Sequence, residues 1–96
     1  MAKLRWTYEA EIWLKDIYDY IALDNPHAAE QVVEGIYVKA QILIKHPEIG
    51  HKYETLEKED VRILLYGHYR ITYTLVNDCI DILGVFHGAL DIDKYL

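Results

Sequence analysis

Between Val61 and His87 the chain keeps a two-residue rhythm. Three runs, VRILLY (61–66), YRITYTLV (69–76) and CIDILGVFH (79–87), carry large apolar residues at alternating positions. Side chains on a strand alternate between faces, so this pattern specifies strands that lay one face on a core. Two-residue breaks separate the runs. Gly67 leads the first break, Gly67-His68, and suits a type II′ turn; Asn77-Asp78 suits a type I′ turn. These are the reversals whose twist matches a hairpin. The segment is therefore expected to be a three-stranded antiparallel meander.

Strand parity divides the meander into two faces. One set is Val61, Ile63, Leu65, Ile71, Tyr73, Leu75, Ile80, Ile82 and Phe86; it is nearly all apolar and is expected to lie on the rest of the fold. The other set is Arg62, Leu64, Arg70, Thr72, Thr74, Asp81, Leu83, Val85 and His87. On this reading Arg62, Arg70 and His87 share an open face, where two guanidinium groups and an imidazole would meet.

Upstream the period changes from two to 3.6. KLRWTY (3–8) is a short strand with Leu4, Trp6 and Tyr8 on one side. From Glu9 to Asp24, Ala10, Trp13, Leu14, Ile17, Tyr18 and Ile21 recur at i, i+3, i+4, the mark of an amphipathic helix. Asn25 suits an N-cap and Pro26 the first position of a second helix. That helix carries Ala29, Val33, Ile36, Ala40 and Leu43 on one face and is stopped by Pro47. Two such helices with a short link form an αα-hairpin. Residues 47–60 are a polar connection that holds His51, Lys52 and Lys58, and residues 88–96 are a short helix or a tail. The expected fold is α+β: an N-terminal strand, a two-helix hairpin and a three-stranded antiparallel meander. The helices cover one face of a mainly antiparallel four-stranded sheet, with the place of the first strand left open. At 96 residues, positions 1–96 suit a single domain.

Composition narrows the function classes. The net charge of −6 counts against nonspecific binding of nucleic acid, which depends on Lys and Arg neutralising phosphates. Cys79 is the sole cysteine, so neither an internal disulfide nor a Cys-based zinc site is expected. The N-terminal residues show no apolar signal segment, and no run reaches the roughly 20 apolar residues of a membrane span. A cytoplasmic protein with no cofactor, no metal and no membrane contact is expected.

The order strand, helix pair, meander resembles the RelE/ParE superfamily of toxins. The resemblance rests on LKDIYDYIALDNPHAAEQV, HPEIG, VRILLYGHYRITYTL and IDILGVFHG, and runs from about Trp6 to His87. It implies a plasmid-stabilisation type of protein: the toxin half of a type II toxin–antitoxin pair, neutralised by a cognate antitoxin. RelE-like members cut messenger RNA on the ribosome, whereas ParE-like members poison DNA gyrase and are not nucleases. Under the RelE-like alternative the resemblance assigns Arg70 to the scissile phosphate, His87 to general acid or base work and Arg62 to the same face. RelE-like toxins are strongly basic, and this chain is acidic, with HKYETLEKED mixing both signs. The ParE-like reading is therefore preferred. A non-toxic relative that only binds antitoxin is a third alternative, and a homodimer is compatible with all three.

Each candidate also has a purely structural reading. Arg70 can pair with Asp81 across the hairpin, an ordinary cross-strand charge pair, and His87 can cap a strand end. The other histidines lack zinc-site spacing and read as surface or turn residues. The nine tyrosines are mostly explained by packing with a wet hydroxyl; Tyr95 is a candidate for a catalytic face by analogy with nuclease relatives.

Overall fold

The computed structural model of the chain describes residues 2–53 and 60–88. The elements run β1 (Lys3–Trp6), α1 (Tyr8–Ala22), α2 (Pro26–Lys45), β2 (His51–Tyr53), β3 (Val61–Tyr66), β4 (Tyr69–Val76) and β5 (Cys79–His87). They form a five-stranded sheet in the order β1-β5-β4-β3-β2, against which the helix hairpin packs. The two turns have the expected backbone. Gly67 has φ +58°, while Asn77 and Asp78 have φ 50° and 61°. Asn25 caps α2, its Oδ1 accepting the Ala28 N–H at 3.1 Å, and Pro26 opens the helix.

β1 is the sheet's only parallel member among the described residues. It pairs with the first half of β5, with Leu4 opposite Ile80 and Trp6 opposite Ile82. Tyr8 does not continue this strand. Thr7 ends it, because its Oγ1 accepts the Ala10 N–H at 3.2 Å and donates to the Ile82 carbonyl at 2.6 Å. One hydroxyl thus caps α1 and ties it to β5. Thr7→Ala is expected to cost about 1 kcal/mol. A thermal melt should show a fall of roughly 4–8 °C for a domain of this size, and Thr7→Ser should recover most of it.

The polar connection 47–60 contains a further strand. β2 pairs antiparallel with β3, setting His51 against Ile63 and Tyr53 against Val61. It is short and polar, so backbone hydrogen bonds rather than an apolar pattern define it. Lys58, the 89–96 tail and Tyr95 lie outside the described residues.

The register corrects the face assignment in two places. Because Gly67-His68 is a two-residue turn, Tyr66 faces Tyr69, and therefore Leu64 faces Ile71 and Arg62 faces Tyr73. Facing residues share a side of the sheet. Arg62, Leu64 and Tyr66 thus lie with Ile71 and Tyr73, and Val61, Ile63 and Leu65 lie on the other side with Arg70, Thr72 and Thr74. The second correction is a shift of register between Thr72 and Tyr73, where β5 accommodates Leu83 as an extra residue. A bulge reverses parity beyond it. Val85 and His87 therefore join the Ile71 side, and Gly84 and Phe86 join the Arg70 side.

The main core lies between the helices and the Ile71 side. Ala10, Leu14, Ile36, Leu43, Leu64, Ile71, Tyr73, Ile80, Ile82 and Val85 are buried there. The other side is not open as expected: Ile63 and Phe86 form a second buried cluster with Trp13 and Tyr53, and the Trp13 and Phe86 rings meet edge-on at 4.7 Å. Gly84 makes this possible. The Phe86 ring folds back over it, and a Cβ on Gly84 would stand 2.6 Å from the ring. Phe86 is buried and has no room to withdraw. Gly84→Ala is expected to cost about 1–3 kcal/mol of overpacking, measurable in a urea melt.

Candidate functional site

Arg70 and His87 do not share a face as expected, since the bulge puts His87 on the Ile71 side, but both border the end of the sheet where β3 turns into β4. Leu65, Gly67, His68, Arg70, His87 and Gly88 line a shallow depression of about 530 Å³ there. The turn delivers His68, and β5 ends beside it. The Gly88 N–H donates to the His68 carbonyl at 2.8 Å, which holds the end of β5 against the turn. The Arg70 guanidinium donates to the Gly88 carbonyl. The imidazoles of His68 and His87 stack with centroids 6.3 Å apart, and Tyr69 sets its ring edge-on to His87 at 6.0 Å.

None of the lining residues is acidic. A guanidinium with two imidazoles suits an anionic oxygen group, since the guanidinium offers a planar fork and an imidazole can donate or accept a proton near neutrality. His68 is the member that sequence reasoning treated as a plain turn residue. Its contact with His87 follows from the pairing of Tyr69 with His87, a register that neither residue type announces.

Arg62 is not part of this constellation. It lies on the other side of the sheet from Arg70 and nearer the far end of β3. Its Nε donates to Asp60 Oδ1 at 3.3 Å, and its Nη1 donates to the carbonyls of Glu48 at 3.0 Å and Gly50 at 3.4 Å. Asp60 has φ 53°, which directs the chain so that its carboxylate meets Arg62. Arg62 therefore clamps the HPEIG segment to β3. The expected pairing of Arg70 with Asp81 is also replaced. Asp81 faces Thr74 and takes both Nε and Nη2 of Arg5, at 3.0 and 2.9 Å, across the parallel β1–β5 pair. Among the described residues, no group of three or more His, Cys, Asp or Glu side chains is placed to hold a metal ion. No described helix is long and apolar enough to cross a membrane.

With this fold and site in place, comparison with known proteins is decisive at the level of family. Residues 4–92 match the family model described as the ParE toxin of the type II toxin–antitoxin system parDE. The chain belongs to the ParE toxin family. It is therefore a toxin of a type II toxin–antitoxin system within the wider RelE/ParE group. This ParE-family chain is 28% identical to Toxin RelE2 of Caulobacter vibrioides, over 93% of its own length and 98% of the relative. It is also similar in structure to a chain of the chromosomal ParDE toxin–antitoxin system of P. aeruginosa. That match has a TM-score of 0.75 and 27% identity, and covers 91% of this chain and 96% of the other. A chain of the RelBE2 toxin–antitoxin complex of Mycobacterium tuberculosis shares the fold, with a TM-score of 0.62 and 22% identity over 90% of this ParE-family chain and 96% of that one.

Proposed function

We propose that this ParE-family toxin arrests growth by binding a cellular target, with DNA gyrase the first to test, and that a cognate antitoxin neutralises it. The observation that carries the reading is the position of Arg62. A nuclease of the RelE-like kind would need Arg62, Arg70 and His87 around one phosphate, but Arg62 lies towards the far end of β3, away from the Arg70–His87 end, and its guanidinium is engaged by Asp60 and the loop carbonyls. The net charge of −6 supports the same reading, because approach to a ribosomal surface favours a basic protein. The test is induced expression followed by pulse labelling. DNA synthesis should stop before protein synthesis, and the purified chain should inhibit supercoiling by gyrase. Early arrest of translation with intact replication would overturn the proposal.

A second reading has one specific observation behind it: Arg70, His68 and His87 line one depression. If these groups cleave ribosome-bound message, His87→Ala should slow the cut by about 10² to 10⁴, the usual range for a general acid or base. Primer extension on programmed ribosomes measures it. Absence of any cut with the parent protein leaves the binding mode in place.

Antitoxin binding is supported by the solved relatives, which come from ParDE and RelBE toxin–antitoxin systems. A partner that binds only the folded toxin stabilises it by about 2.7 kcal/mol at a free concentration one hundred times its dissociation constant. A thermal shift upward with the cognate antitoxin in excess is therefore expected. An unchanged midpoint would remove the pairing.

A further inference from the structure

We infer that the depression at the β3–β4 turn seats a carboxylate from an acidic, extended segment of the toxin's protein target. The inference rests on the binding mode proposed above and adds the chemistry of the partner. Among the described residues, Arg70 is the one permanent cation that lines the depression. It is half-buried, and the neutral Gly88 carbonyl that it holds fixes the guanidinium without cancelling its charge. His68 and His87 stand exposed beside it. An imidazole has an N–H to offer an anion in either protonation state. None of the described lining residues is acidic, although the whole chain carries a net charge of −6. A local notch of positive sign draws an anionic group to itself.

Leu65 selects a protein as the source of that anion. It faces Arg70 directly across β3 and β4, lines the same depression and is 53% exposed. Facing side chains lie about 5 Å apart, so an apolar contact is available beside the cation. An extended chain sets residues i and i+2 on one face, roughly 7 Å apart. An apolar residue two places from an Asp or Glu therefore reaches Leu65 and Arg70 together. The number of cations argues against nucleic acid. A strand brings a phosphate with every nucleotide and needs a row of Lys and Arg to offset them. One guanidinium suits one carboxylate, and the net charge of −6 repels the further phosphates of a strand.

The test titrates the full chain with three labelled probes of equal length in fluorescence anisotropy. One is an extended peptide with Leu and Glu two places apart, the second carries Gln in place of the Glu, and the third is a single-stranded RNA. The Glu peptide should bind, the Gln peptide should bind at least about tenfold more weakly, and the RNA should bind least. Arg70→Gln and, separately, Leu65→Ser should each cost the Glu peptide about tenfold in affinity. Lys45→Gln makes the same change of net charge as Arg70→Gln at an exposed position in the last turn of α2, and should leave affinity unchanged. Circular dichroism checks that each variant folds, and the exposed Leu65 keeps the test decisive if Arg70→Gln does not. The inference is overturned if the Gln peptide binds as well as the Glu peptide, if the RNA binds more tightly, or if Lys45→Gln loses as much as Arg70→Gln. Pulse labelling judges the underlying binding mode separately. Arrest of DNA synthesis without selective binding of the Glu peptide overturns this inference alone, whereas early arrest of translation overturns the binding mode and the assignment of the depression to its target.

Discussion

Ile36→Asp is expected to yield no folded protein. Ile36 lies in α2, is fully buried, and belongs to the main core with Leu64, Ile71 and Tyr73. An aspartate there is either charged without a counter-ion or protonated without a hydrogen-bond partner, and it leaves space that the isoleucine filled. An unpaired buried ion costs several kcal/mol after relaxation. Domains of this size have only about 5–15 kcal/mol of stability in total. Circular dichroism should show no cooperative thermal transition. A cooperative melt near that of the parent would mean that α2 is not seated as described. Ile17 is an instructive contrast. The helical pattern of α1 makes it an equal core candidate, but it is only half-buried at the edge of the cluster, so Ile17→Asp should give a folded, destabilised protein.

Tyr73→Phe should produce the next largest loss, although it removes a single oxygen. Tyr73 is fully buried on β4. Its hydroxyl accepts the Gly50 N–H at 3.0 Å and donates to the Pro47 carbonyl at 2.8 Å. Together with Arg62 it fastens the HPEIG segment to the sheet. Gly50 is required for this approach: a Cβ there would stand 2.5 Å from the hydroxyl oxygen. Phenylalanine would strand two backbone groups at once, at about 1–3 kcal/mol each if both stay dry. The expected change is about 2–4 kcal/mol, read from urea melts at neutral pH.

The same tyrosine predicts an alkaline limit. Burial raises the Tyr73 phenol above its usual 10. On α2, burial and then the hydrogen bond to Glu11 push Tyr37 up to about 12. A raised pKa means that folding favours the protonated phenol. The stability from each group is complete below pH 10 and is lost as pH rises through the folded value. Stability should therefore be level from neutral pH to about 10 and decline between about 10 and 12. Tyr37→Phe should make the decline shallower. An equal slope in that variant would show that the phenols are not the cause.

Much of this architecture was legible in the chain. The helices are specified by apolar spacing, by Asn25 and Pro26 at the start of α2, and by Pro47 after its end. The two hairpins are specified by Gly67-His68 and Asn77-Asp78. These signals are local, since they depend on residues within a turn or two of one another. Arg70 and His87 were legible as candidates because both sit at strand positions that the superfamily resemblance singles out.

What the chain did not disclose depends on pairs far apart in sequence. β2 exists because β3 supplies a backbone edge, so a strand as polar as HKY can form without apolar alternation. β1 lies parallel beside β5 because the helix hairpin carries the chain to the opposite edge at β2, the meander then steps back across the sheet to β1, and Thr7 hydrogen-bonds to Ile82. A single extra residue at Leu83 reverses the second half of β5, moving Val85 into the main core and Phe86 to the opposite side. The sequence by itself determined the helices, the turns and the order of the strands, because propensity and periodicity act over neighbouring residues. Only the tertiary structure decided that Arg62 is a clamp, that Asp81 belongs to Arg5, and that His68 joins Arg70 and His87. Those outcomes depend on register, and register is set by which backbone groups finally meet across the sheet.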